Sequence, residues 1–365
     1  MKCRSVYCIT TLTVAVLLCT AATAPAFHDG GVGYCDGCHS LHDSESVDPD
    51  GNSGSALLKG SDPSSTCLGC HADSNHEYAI FNEISPVRTA GGDFAWLQSR
   101  SGQEESGRNH GHNVIAADFG LEEDGILQSA PGGSYPAAGL QCTSCHDPHG
   151  KVSGSTEQTA ISGSGSYGDT AADSETVAGN FRLLGGVGYT ENGRTSGFIY
   201  GPPAAVAPPA ANGPESDGNH TAYGMGMSEW CANCHVDLLA GESAAGAAKH
   251  PAGNGVKLSE QMLARYNSYI STGNLSGNRA SAYASQVPFE IGSDDHSRLD
   301  PSSTEGPDST ANVMCLTCHR AHASAFANSG RWDFASTFLA TSDPPEDGGY
   351  RAWQRQLCAK CHPYD

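Results

Sequence analysis

The spacing Cys-x-x-Cys-His occurs six times, at Cys35–His39, Cys67–His71, Cys142–His146, Cys231–His235, Cys315–His319 and Cys358–His362. Two thiols two residues apart, followed at once by an imidazole, form the attachment signature of a c-type haem. Both sulfurs add to the vinyl groups of one porphyrin, and the turn between them carries the histidine under the iron. One copy is equally compatible with half of a zinc site, but six copies in one chain are not. The attachment residues are therefore Cys35, Cys38, Cys67, Cys70, Cys142, Cys145, Cys231, Cys234, Cys315, Cys318, Cys358 and Cys361. The proximal iron ligands are His39, His71, His146, His235, His319 and His362, and the implied cofactor is six c-type haems. Of the 15 cysteines, only Cys3, Cys8 and Cys19 lie outside the motifs, so nothing later in the chain is left for a disulfide or a thiol nucleophile.

Six porphyrins change what composition means. Hydrophobic residues make up 38% of the 365, and 45 are glycine, a thin apolar set for an ordinary domain of this length. Flat apolar rings, one per about 56 residues after a short leader, supply the missing core, and glycine lets the backbone approach them. The expected fold is a multihaem cytochrome, mostly coil with short helices and few short strands, wrapped around a chain of six haems.

Residues 1–26 read as a secretory signal. Lys2 and Arg4 precede a mostly apolar run from Val6 to Ala22, and Ala24-Pro25-Ala26 gives a cleavage site before Phe27. A retained anchor is the alternative, against which the short, threonine-rich run argues. Bulky Leu18 argues against a lipid at Cys19. Residues 27–365 then form a single secreted domain. Losing Lys2 and Arg4 takes the formal charge of −21 two units further negative. Such a surface opposes nucleic acid or an anionic membrane as partner, and suits cations, basic proteins or metal-ion oxidants.

Local patterns predict a helix over Val256–Ile270 and short helices over Met227–Ala240, 278–287 and Arg351–His362. Gly91–Leu97 reads as a turn with buried aromatics, 151–179 as an exposed loop, and Gly201–Ala211 as extended polyproline. Strands should be confined to short hairpins. Asp48, Asp50 and Asn52 hint at a calcium loop but lack its glycine and glutamate, so this stretch reads as a solvated loop.

There are 16 histidines; ten remain after the proximal ligands. Every iron can therefore take a second imidazole. Taken in pairs, the motifs reveal a repeat of ligands in three units, about 27–75, 110–240 and 290–365: a histidine, then Cys-x-x-Cys-His-x-x-His, then Cys-x-x-Cys-His. The fixed offset nominates His42, His149 and His322 as distal ligands. Position upstream of a pair nominates His28 and His112. The sixth is His250 or His296: the repeat favours His296, and the Lys-His-Pro setting favours His250. His76, His110 and His220 read as surface histidines. An iron closed by two imidazoles passes electrons and binds no substrate, so the chain reads as an electron-transfer protein and not an enzyme.

Beyond the haem motif, longer segments resemble the filament-forming extracellular hexahaem cytochromes, the cytochrome nanowire family. They are Phe27–His42, Gly91–Leu97, Gly111–Asn113, Ala130–Gly150, Phe181–Tyr189, Ala204–Pro208, Tyr223–His235, His250–Gly255, Tyr266–Tyr269, Ser281–Glu290, Met314–Phe326 and Gln354–His362. The resemblance covers nearly all of residues 27–365. It implies bis-histidine haems in stacked and T-shaped contacts along one axis, identical subunits joined head to tail, and electron delivery to other redox proteins or extracellular metal oxides. In that family the histidine at the His42 position ligates the next subunit's fifth haem, held here by His319. The loops after Asp43, Lys151 and Thr341 differ from the family's. Two alternatives stand beside this reading: a multihaem reductase with one open iron, and a soluble monomeric periplasmic shuttle. No lysine-bearing variant of the motif is present to support the first.

Overall fold

The computed structural model describes residues 35–40, 58–72, 79–82, 89–98, 109–148, 184–190, 197–208, 214–239, 251–338, 355 and 357–363. The leader, the Asp48–Asn52 stretch, the 151–179 loop, His76, His28, His42, His149 and His250 lie outside them. Among the described residues there is little regular structure. Helix α1 spans Cys35–Cys38, α2 Pro63–His71, α3 Met227–Cys231 and α4 Glu260–Ser268. Strands β1 (Ala205–Val206) and β2 (Ala222–Tyr223) form one antiparallel pair, Ala205 opposite Tyr223. Much of the rest is single 3-10 turns and isolated bridges. No described helix is long and apolar enough to cross a membrane.

Helix α2 starts where local chemistry dictates. Asp62 caps it, accepting the Ser65 amide at 2.8 Å, and Pro63 occupies the first helical position, where a missing amide costs nothing. Its inner face is Ser64, Ser65 and Leu68, all buried. The helix expected over Val256–Ile270 is shorter at both ends. Val256 and Leu258 are drawn into backbone pairing with Val313 and Ala311, so the helix begins only after Ser259, whose hydroxyl accepts the Met262 amide. At the other end Ile270 pairs with Asn274 in a turn. The Met227–Ala240 helix is likewise two pieces, α3 and a 3-10 turn at Val236–Leu238. A single 3-10 turn, Arg279–Ser281, stands where 278–287 was expected to be helical, and the described end of the chain is a 3-10 turn at Leu357–Lys360.

The polypeptide does make buried apolar clusters of its own, contrary to expectation. Leu258, Tyr266, Ala282, Tyr283, Val287, Phe289, Ala311, Trp332 and Leu357 form one buried cluster, pinned by the Tyr266 hydroxyl on the Val287 carbonyl at 2.8 Å. Cys318, Cys358 and Cys361 pack against it. A second cluster, around Leu68, Phe81, Phe94, Val114 and Leu121, backs the second motif; a third, with Met227, Met314 and Leu316, backs the fourth and fifth. The clusters thus lie behind the motifs and hold them in place.

Candidate haem centres

The last four motifs make the same tight turn. The histidine amide donates to the carbonyl of the first cysteine, at 2.9 Å for His146, 3.1 Å for His235 and His319, and 2.8 Å for His362. This closes the loop and brings both sulfurs and the imidazole to one side. In the second motif Cys67, Cys70 and His71 ride on α2. The described cysteines form no disulfide.

Successive motifs lie near enough in chain order for their thiols to influence one another. Burial and then Cys70 push the Cys38 thiol up. Cys67 donates a hydrogen bond to Cys142, and Cys231 to Cys315, which raises each donor and lowers each acceptor. Cys145 is also close enough to Cys231 to raise it. Burial holds Cys318 up at about 12, reinforced by Cys358 and Cys361. Each motif therefore lies beside its successor, from first to sixth. Between the third and fourth, the Tyr189 hydroxyl donates to the Thr143 and His146 carbonyls, and Tyr189, Phe198 and Trp230 make successive edge-on contacts. The Trp230 indole donates to Gly185 at 2.9 Å.

Two pairs of histidine rings lie close to each other and tilted. The rings of His112 and His235 are 6.0 Å apart, and those of His146 and His322 are 6.4 Å apart. Two imidazoles bound to opposite sides of one metal ion have their centres about 6 Å apart, from two metal–nitrogen bonds of roughly 2 Å and half of each ring. Backbone carbonyls settle the tautomers, since a carbonyl can only accept. His112 donates Nδ1 to Ala321 at 2.6 Å, His235 to Pro131 at 2.7 Å, and His319 to Asn328 at 2.8 Å. The lone pair then sits on Nε2, the arrangement metal-bound imidazoles use. Burial lowers the pKa of His112, and that of His322 to about 4, keeping both neutral as ligation requires.

Backbone close to these rings has to be glycine at several places, Gly111 among them, where a side chain would run into the His322 carbonyl. Gly92, at φ +85°, would push a side chain into the Ala323 carbonyl, and Gly133 would push one into the Cys234 carbonyl. Phe94 stacks on His322 at 4.6 Å. Among the described residues no three His, Cys, Asp or Glu side chains converge as a metal cluster. Facing imidazoles without a third protein ligand suit an iron whose other four ligands come from a porphyrin.

His296 is buried, and its Nδ1 has no hydrogen-bond partner; His362 is exposed. His220 is not a surface residue: it is 3% exposed, stacked at 3.7 Å on Tyr283, with its Nδ1 on the Asp217 carbonyl. Burial brings its pKa down to about 4. His110 is half-buried rather than exposed. The sequence reading also missed Glu215, Arg320 and Arg331, which form a buried ionic cluster beside the fifth motif. Arg320 directly follows His319, and that adjacency is the signal that could have found it.

Repeated Cys-x-x-Cys-His turns, close pairs of imidazoles and a mostly coiled chain are the features of a multihaem c-type cytochrome. No family model matches the chain. It is 37% identical to the C-type cytochrome OmcS of Geobacter sulfurreducens, across 97% of this chain and 98% of that protein. Two solved filament structures of outer membrane cytochrome S, or OmcS nanowires, from the same organism each match with a TM-score of 0.70. Each is 36% identical and covers 92% of this chain and 99% of the other. The chain belongs to the OmcS family of c-type cytochromes.

Proposed function

We propose that the chain carries six haem c groups in one row and conducts electrons as a subunit of an extracellular filament. The observation that carries this reading is the two pairs of close imidazoles, His112 with His235 and His146 with His322. Each joins a motif histidine to one from a distant part of the chain. When bound, the group supplies one-electron transfer, and two imidazoles leave it no open face for a substrate. The contacts between successive motifs, in chain order, support a row.

The two pairs extend to a rule. His112 precedes the third and fourth motifs and faces the fourth. His322 trails the fifth motif and faces the third, one unit back. By the same rule His28 serves His71, and His149 serves His39. His296 serves His362, with His250 the alternative for that position. The rule then gives His42 no preceding unit in its own chain and names no second histidine for the fifth site. Head-to-tail assembly resolves both: His42 of one subunit reaches the fifth site of the next. Residues 27–365 act as one cytochrome unit after a secretory leader at 1–26. Their partners are identical subunits, other redox proteins and extracellular acceptors such as metal oxides, with no nucleic acid and no membrane anchor.

Changing His42→Ala tests the assembly. Mass analysis should still find six covalent haems, electron microscopy should find few filaments, and one site should turn high-spin. Normal filaments with unchanged spectra would remove the inter-subunit role. A high-spin signal from the intact wild-type filament would favour the reductase reading instead.

A further inference from the structure

The ionic cluster beside the fifth motif has no part in attachment or ligation. Oε2 of Glu215 accepts Nη1 of Arg320 at 2.8 Å and Nη1 of Arg331 at 3.3 Å, and all three side chains are almost wholly buried. Arg331 donates Nε to the Leu316 carbonyl at 2.6 Å and Nη1 to the Ser285 carbonyl at 2.9 Å. Its own amide donates to the Cys318 carbonyl at 2.8 Å. Leu316 lies between Cys315 and Cys318, so this guanidinium sits against the loop that carries both sulfurs of the fifth site. Arg320 reaches the other way, to the Thr89 and Ala90 carbonyls and to Gln286 Oε1 at 3.4 Å.

Burying guanidinium groups is expensive, and apolar residues of the same volume often stabilise a fold as well or better. A tie between loops therefore does not by itself account for the charge. A fixed positive charge in a weakly polarisable interior favours an electron arriving nearby, and a negative one opposes it.

We propose that Arg331, with Glu215 as its counterweight, sets the reduction potential of the fifth site, making it a better electron acceptor than its ligands alone would. Arg331 is a positioning charge here, acting on the group that His319 holds, and the inference rests on the haem-carrying reading above.

The test is a spectroelectrochemical titration of the purified holoprotein after its haem content has been measured. In Arg331→Met one haem component should move to lower potential, and in Glu215→Gln the same component should move higher. Each shift should be about tenfold in the equilibrium, or 59 mV for a one-electron couple. Variants with full haem content whose potentials stay put, or move in the same direction, would overturn the proposal and leave the cluster a structural tie. Should Arg331→Met fail to accumulate, Glu215→Gln decides alone: an upward shift supports the proposal and none sinks it. Wild-type protein without haem would remove this proposal together with the reading beneath it, and that is visible before any titration.

Discussion

The joint between the second and third motifs and the joint between the fourth and fifth are built from the same parts. A fully buried serine stands three residues before a cysteine, Ser64 before Cys67 and Ser228 before Cys231. Its hydroxyl accepts the amide of the next motif's first cysteine, Cys142 or Cys315, at 3.0 Å in both. The residue before that cysteine donates its amide to a hydroxyl inside the motif, Gln141 to Ser144 at 3.0 Å and Met314 to Thr317 at 3.1 Å. The joints differ at the helix that carries the serine. Helix α2 begins on half-buried Asp62, close in sequence. Helix α3 begins on Gly226, and its first amide, Met227, is taken at 2.8 Å by Glu290, a carboxyl with 0% exposure. The position of one sulfur relative to the next is thus set by the serine, while the helix start can be satisfied in quite different ways.

The largest effect that separates the joints should come from Glu290. Burial raises its pKa to about 8 from an ordinary 4.5, against the pull of the Met227 amide and Asn312, with Glu229 nearby adding to the rise. Between those values the folded protein holds a proton that the unfolded chain has released. Stability should therefore fall as pH rises from about 4.5 to about 8, then level off, by an amount on the order of a few kcal/mol. Denaturant midpoints across that range should show the slope in the wild type and lose it in Glu290→Gln. A slope that survives the substitution belongs to another group.

Next in size are the serines. Ser64→Ala and Ser228→Ala each leave a half-buried cysteine amide without its acceptor, a loss of about 1–3 kcal/mol. Comparable losses would sustain the equivalence of the two joints, and a loss at only one would break it. The smallest effect should be Asp62→Ala, at about 1–2 kcal/mol for a helix cap. The Ala117 amide also rests on this carboxylate, at 2.8 Å, so the upper end of that range is the outcome to look for.

Attachment chemistry is local, so cysteine spacing alone nominates the sulfurs and the proximal imidazoles, and the turn closed by the histidine amide in the last four motifs is the part of that reading the fold displays. The close pairs of imidazoles were only half legible. An offset and an upstream position nominated His322 and His112, but nothing near either says that it faces His146 or His235, because those contacts span long stretches of chain. Helix α4 was misjudged because its apolar spacing does not reveal that Val256 and Leu258 are claimed by Ala311 and Val313. His220 was taken for a surface residue because the ring that covers it, Tyr283, is remote in sequence. Arg331 and Glu215 read as ordinary solvated charges by the same default, since only the fold brings them together.

His322 has a consequence for the order in which the protein is made. Translation proceeds from the N-terminus, so Cys142 through His146 exists long before the imidazole that faces it. Over that interval the middle of the protein waits on residues the ribosome has yet to add. Any product that stops short of His322 keeps the third motif intact and lacks its opposite number, so early termination leaves a lesion far upstream of the break.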